Sequence, residues 1–160
     1  SPLKYFTITS KFSKNRFHPV QKRFKAHNGT DYAAPHGTPI MTTASGVVVE
    51  TGRTSGNGNY VKIKHNSMYT TQYLHMSKIL VRNGQRVTQG QVIGKVGSTG
   101  LATGPHVCYR FWKNGVQVDP LRLKLPNAEP MNESHKQKYL AHIAPLKKEL
   151  DSITAVKFKE

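Results

Sequence analysis

The segment His106-Val107-Cys108-Tyr109-Arg110-Phe111-Trp112, followed directly by Lys113-Asn114-Gly115-Val116, decides the fold class. Side chains at i and i+2 share a face of a strand, so His106, Cys108 and Arg110 fall on one face, and Val107, Tyr109 and Phe111 on the other. Asn114-Gly115 between two such runs suits a type I′ hairpin, because both central residues need positive φ. The same period of two recurs upstream in Tyr5–Thr9, Val47–Val49, Val61–His65, Tyr69–His75 and Gln91–Val96. Gly, Asn and Pro punctuate these runs at short intervals, and Gly56-Asn57-Gly58-Asn59 reads as a second hairpin tip. The expectation is a mainly β domain built on an antiparallel sheet.

After Pro126 the texture changes. Glu133 to Leu150 is rich in Lys, Glu, Ala and Leu, with Tyr139, Leu140, Ile143, Leu146, Leu150 and Ile153 at helical spacings. Pro145 lacks an amide donor and clashes with the preceding turn, which predicts a kink or two short helices. Pro126 to Pro130 reads as a linker. The domain division expected is therefore residues 1–125 for the β domain and 126–160 for the linker and a short C-terminal helical appendage.

The chain carries 24 Lys plus Arg against 8 Asp plus Glu, a formal charge of +16 over 160 residues. Before residue 119 the only acids are Asp31 and Glu50. Such a field favours polyanionic partners. Zinc-finger spacing, RNA-binding aromatic signatures and a helix-turn-helix are all missing from the sequence, which argues against nucleic acid. No stretch approaches the roughly 20 apolar residues of a membrane span, so no transmembrane segment is expected in this chain. One cysteine excludes an intramolecular disulfide framework. The chain opens Ser-Pro-Leu, and the expectation is a piece of something longer.

Eight histidines are the most informative feature. His27-Asn28-Gly29-Thr30-Asp31 sets an imidazole and a carboxylate four residues apart, and a bend at Gly29 lets both converge on one ion. His75 closes an alternating run. His106 and Cys108 project from one face of a predicted strand. His, Asp and Cys are donors that zinc accepts, and three protein ligands with one open position form the catalytic pattern. Singly each signal is weak, since a lone histidine is more often structural and a lone cysteine usually packs.

In combination the sequence resembles the lysostaphin-like zinc endopeptidases that cleave peptide cross-bridges of bacterial peptidoglycan. His27 to Asp31 runs on into Tyr32-Ala33-Ala34-Pro35-His36-Gly37-Thr38-Pro39-Ile40, similar to the family's continuation of its His-x-x-x-Asp motif. Arg16-Phe17-His18-Pro19-Val20 resembles its upstream Arg-x-His-Pro segment. Ala44–Val48, Tyr60–His65, Tyr73-Leu74-His75-Met76, Val87–Gly94, Ser98-Thr99-Gly100 and Gly104-Pro105-His106 follow in the family's order. The resemblance covers roughly residues 4 to 125. It implies that His27 and Asp31 are zinc ligands. It also implies that His75 and His106 orient or deprotonate the attacking water and stabilise the oxyanion, with base and oxyanion donor interchangeable between them. Peptidoglycan stem and cross-bridge peptides would be the partners, in the periplasm, the cell envelope or outside the cell.

The sequence departs from the family pattern on one strand face. Cys108 stands where the family's His-x-His has its second histidine, and Arg110 stands where many members carry Glu. One reading keeps the metal. Cys108 binds as thiolate, the second anionic ligand lowers the Lewis acidity of the ion, and Arg110 supplies compensating charge as a neighbour of the ligand. The other reading loses the metal. The domain is then an inactive member that binds peptidoglycan or activates another cell-wall hydrolase. The retention of His27, Asp31, His75 and His106 favours the first, because converging polar groups are costly to bury without a task.

Overall fold

Alternation along the strands separates a packed core from a polar cleft. The computed structural model of the chain describes residues 1–18, 22–123, 125 and 131–157. The expected linker at 126–130, and Pro19 and Val20 of the upstream segment, lie outside the described residues. The strands are β1 (Thr7–Ser10), β2 (Ser13–His18), β3 (Arg23–His27), β4 (Thr30–Ala33), β5 (Pro39–Met41), β6 (Gly46–Thr54), β7 (Gly58–Lys64), β8 (Tyr69–Met76), β9 (Lys78–Ile79), β10 (Arg86–Val87), β11 (Val92–Lys95), β12 (His106–Lys113) and β13 (Val116–Val118). One helix, α1, spans Glu133–Lys157. No helix among the described residues is long and apolar enough to cross a membrane.

Among the described residues the strands form three sheets. The main sheet has the order β1-β4-β12-β8-β7-β6-β10, with β13 paired to β12. A three-stranded sheet runs β5-β11-β9, and β2-β3 make a two-stranded ribbon. All pairings are antiparallel. The β12-β13 hairpin turns where the sequence predicts it, with Asn114 at φ 51° and Gly115 at φ 78°. The β6-β7 hairpin turns at the other predicted tip, with Thr54 opposite Gly58. The ribbon is a structural addition to the sequence reading. Every residue of β3 but His27 is exposed, so β3 has no apolar face from which a period of two could be read.

Val107, Tyr109 and Phe111 pack into the core with Tyr32, Ile40, Val48, Val61, Ile63, Tyr73, Met76, Ile93 and Val96. The phenols of Tyr73 and Tyr109 are hydrogen-bonded. Thr43 Oγ1 lies 3.1 Å from Tyr73 Oη and 2.9 Å from Tyr109 Oη, and Thr71 donates to Tyr73. Glu50, one of the two acids before residue 119, accepts a hydrogen bond from the Tyr60 hydroxyl.

Two local devices carry this scaffold into the cleft. Between Val61↔Tyr73 and Asn59↔Met76, β8 uses three steps where β7 uses two, so β8 holds a bulge. His75 absorbs it at φ 62°, a left-handed conformation that costs a β-carbon-bearing residue about 1–2 kcal/mol. Tyr73 and Met76 then both face the main core, while Leu74 packs with Cys108 on the other side. The bulge thus turns His75 out of the core. The second device is Gly58, at φ 63°, where a Cβ would sit 2.3 Å from the Thr99 carbonyl oxygen. That carbonyl accepts the Nδ1–H of His75 at 2.7 Å.

Contacts within the chain cluster into two compact units, Ser1–Leu123 and Lys124–Glu160. In the second unit Asn132 caps α1 by accepting from Ser134 N at 3.0 Å. Of the two outcomes expected at Pro145, a kink or two short helices, the second is corrected, because α1 continues through Pro145 as one helix. The missing amide deprives the Ala141 carbonyl of its partner, but Ala141 is exposed and water can satisfy it.

Gly58→Ala should destabilise the protein by about 2 kcal/mol through positive-φ strain and the clash with Thr99. Urea denaturation checks this. Burial, offset only in part by the Thr99 bond, lowers the pKa of His75 to about 4 from 6.5. The unfolded chain therefore binds more protons between those values, so stability is full above about pH 6.5 and falls as pH drops toward 4. Denaturation at pH 7 and pH 4.5 should show that His75→Asn removes about 1–2 kcal/mol of this dependence.

Candidate metal centre and proton-handling pair

Neighbouring strands of the main sheet supply most of the cleft. Asp31 on β4 and Cys108 on β12 are direct cross-strand partners. His106 lies two residues before Cys108 on the same face, and His75 comes from the bulge on β8. His27 ends β3 of the ribbon and reaches in from the side. Gly29, between His27 and Asp31, permits this for a reason other than a special φ. A Cβ there would lie 2.7 Å from Cys108 Sγ and 3.1 Å from Arg110 Cγ. The bend needs glycine for close approach.

The histidines are oriented alike. Each presents Nδ1 to a backbone carbonyl, which can only accept, so each proton sits on Nδ1. His27 donates to Lys11 O at 3.1 Å, His75 to Thr99 O at 2.7 Å, and His106 to Gly104 O at 2.8 Å. The neutral rings therefore all keep their lone pair on Nε2. His27 Nε2 is 3.0 Å from Asp31 Oδ1 and 3.6 Å from Cys108 Sγ. His106 Nε2 is 3.8 Å from the same Asp31 oxygen, and the His75 and His106 rings lie 4.7 Å apart.

His27, Asp31 and Cys108 thus offer three ligand atoms within 4.8 Å of one another, a group that could hold a metal ion. Their chemistry fits a cation. Asp31 Oδ1 is buried with no hydrogen-bond donor, although His27 Nε2 is close by. At that distance His27 Nε2 and Asp31 Oδ1 need a positive charge between them, supplied either by a proton on the imidazole or by a metal cation. Burial raises the pKa of Asp31, but the facing His27 and His106 imidazoles more than offset this and keep the carboxyl ionised. Burial, and behind it the charge of Asp31, push the Cys108 thiol far up, while the Arg110 guanidinium pulls it down. The balance leaves a neutral thiol until a cation displaces its proton.

The structure brings together every residue that the sequence singles out, namely His27, Asp31, Cys108, His75, His106 and Arg110, all lining one cleft of about 340 Å³. His65 bridges Ser45 O and Thr71, and His36, His135 and His142 are exposed. Sequence reasoning assigned no task to Arg16, which donates to Ser10 Oγ at 2.7 Å and lies 3.9 Å from Asp31 Oδ2. Its only signal was the Arg-x-His-Pro resemblance. The carbonyls of Lys11, Thr99 and Gly104 had none, because any residue type can supply a carbonyl.

Comparison with known proteins finds relatives of this chain in sequence and in structure. The signature of peptidase family M23 matches residues 25–120. Peptidoglycan DD-endopeptidase ShyC of Vibrio cholerae is 45% identical over 142 residues, covering 89% of this chain and 33% of that protein. A zinc-containing peptidase from the same organism superposes with a TM-score of 0.73 at 44% identity, covering 78% of this chain and 39% of that one. The catalytic domain of lysostaphin from Staphylococcus simulans gives 0.65 at 30% identity, covering 72% and 90%. The chain spans about a third of the length of the first two curated relatives. With the family signature lying over the strands that carry His27, Asp31, His75, His106 and Cys108, this chain belongs to peptidase family M23.

Proposed function

We propose that residues 1–125 form a zinc-dependent endopeptidase domain that hydrolyses peptide cross-links of bacterial peptidoglycan, acting in the periplasm, the cell envelope or outside the cell. The observation that carries the reading is the convergence of three metal-donor atoms and two further Nε2 lone pairs on one cleft. Relatives with peptidoglycan endopeptidase names and a zinc-containing structural neighbour support the substrate class and the metal. Retention of both His75 and His106 speaks against an inactive binding module.

His27 Nε2, Asp31 Oδ1 and Cys108 Sγ would hold zinc. Bound there, the ion supplies Lewis acidity to the scissile carbonyl and the attacking water. The other steps belong to the chain. Lys11 and Ser10 fix the His27 ring with Nε2 inward. Arg110 sets a guanidinium beside the Cys108 thiolate and offsets the charge of a second anionic ligand. His75 and His106 form the proton-handling pair, since each has Nδ1 occupied and Nε2 free. One Nε2 accepts the proton of the attacking water and returns it to the leaving amine nitrogen. The other ring, carrying a proton on Nε2, donates it as a hydrogen bond to the developing oxyanion, and the two roles are interchangeable between His75 and His106.

Purified cross-linked peptidoglycan should be digested by the chain, with digestion lost in chelator and restored by zinc. Cys108→Ala should lose zinc at concentrations where the parent retains it, and Arg110→Gln should weaken zinc binding by about 10–100-fold in competition with a chromogenic chelator. Unchanged zinc content in both variants would reject the metal assignment. His75→Ala and His106→Ala should each lower kcat by about 10²–10⁴-fold with zinc retained. A Cys108→His variant that digests peptidoglycan while the parent does not would establish the inactive reading instead.

A further inference from the structure

The metal group gives Asp31 a task but leaves the cleft's bases unexplained. Arg16, Lys25 and Arg110 all line the cleft, and Asp31 is the one carboxylate among its described lining residues. An ion held by His27, Asp31 and the Cys108 thiolate would absorb both negative charges. Arg110 already neighbours Cys108. Arg16 keeps the second Asp31 oxygen at 3.9 Å, and Lys25 then faces the cleft with no carboxylate beside it.

Their arrangement is costly without one. Arg16 and Lys25 are direct cross-strand partners on the β2-β3 ribbon, and like charges directly opposite destabilise a strand pair. Lys25 is exposed, and no acid among the described residues pairs with it. Lys25 also lies two residues before His27 on β3, so both side chains project from one face about 7 Å apart along the strand. An extended peptide advances about 3.3 Å per residue. A group one or two residues from an amide held at His27 therefore falls within reach of Lys25.

We infer that Lys25, backed by Arg16, is a specificity-determining pair that binds a free carboxylate on the substrate peptide, one or two residues from the scissile amide. The cleft takes acidic peptides, and this rests on reading it as a peptidase cleft. The basic excess before residue 119 steers such a substrate inward.

The test uses two fluorogenic cross-linked stem peptides of one sequence, with the residue beside the cleaved amide carrying either a free carboxyl or its primary amide. The full zinc-loaded chain should cleave the free acid with a KM about tenfold lower and a similar kcat, as one charge-assisted hydrogen bond gives. Added salt should shrink the preference. Lys25→Gln should bring the preference close to unity, and Lys25→Arg should restore most of it. Equal KM values for both peptides with the parent, or a preference that survives Lys25→Gln, would overturn the assignment. Calorimetric binding of both peptides to zinc-loaded His106→Ala reads the preference without chemistry. A tenfold binding preference in a chain whose parent cleaves neither peptide would sustain the Lys25 assignment and overturn the peptidase reading. Equal binding would overturn the assignment itself.

Discussion

Everything at the centre of this molecule depends on the register that sets Asp31 opposite Cys108 on neighbouring strands. A one-residue slip of β12 would turn Cys108 and His106 into the core and bring Val107, Tyr109 and Phe111 into the cleft. The core prevents that slip, because those three residues pack with Tyr32 and Tyr73 in its interior. The apolar face of β12 thus pins the polar face in a conformation that is unfavourable by itself. An imidazole nitrogen, a carboxylate oxygen and a thiol sulfur are held within 4.8 Å of one another. Packing holds together three atoms that could bind a metal ion.

The same division of labour explains His75, which lies outside the group of metal donors. His75 occupies a left-handed conformation and sheds much of its basicity to reach its place. Met76, Tyr73 and the Thr99 carbonyl hold it there. Thr99 in turn is held against Gly58, where there is no space for a side chain. A chain of close approaches therefore runs from a hairpin tip to the imidazole. Each of these residues sets where the Nε2 of His75 points.

How much of this the sequence discloses follows from which interactions are local. The β12-β13 hairpin was legible because Asn114-Gly115 encodes its own backbone geometry, and the central strands because one face of each is buried. The β2-β3 ribbon was not, since it buries almost nothing and leaves no periodic trace. Pro145 does not break α1, because an exposed helix can lose one hydrogen bond to water without ending. At the site, His27, Asp31, His75, His106 and Cys108 were all named by residue type and order. The supports were not, because the carbonyls of Lys11, Thr99 and Gly104 are backbone atoms whose positions come only from the fold. Gly29 was read as a bend, whereas its physical necessity is the approach of Cys108.

Cys108 is the residue on which the account turns, since it either donates sulfur to a metal or merely packs beside one. Zinc K-edge X-ray absorption on the purified, zinc-loaded chain separates the two most directly. The account predicts one sulfur scatterer at about 2.3 Å, with nitrogen and oxygen ligands at about 2.0–2.2 Å. A spectrum fitted by nitrogen and oxygen alone, or a chain that retains no zinc, would contradict it.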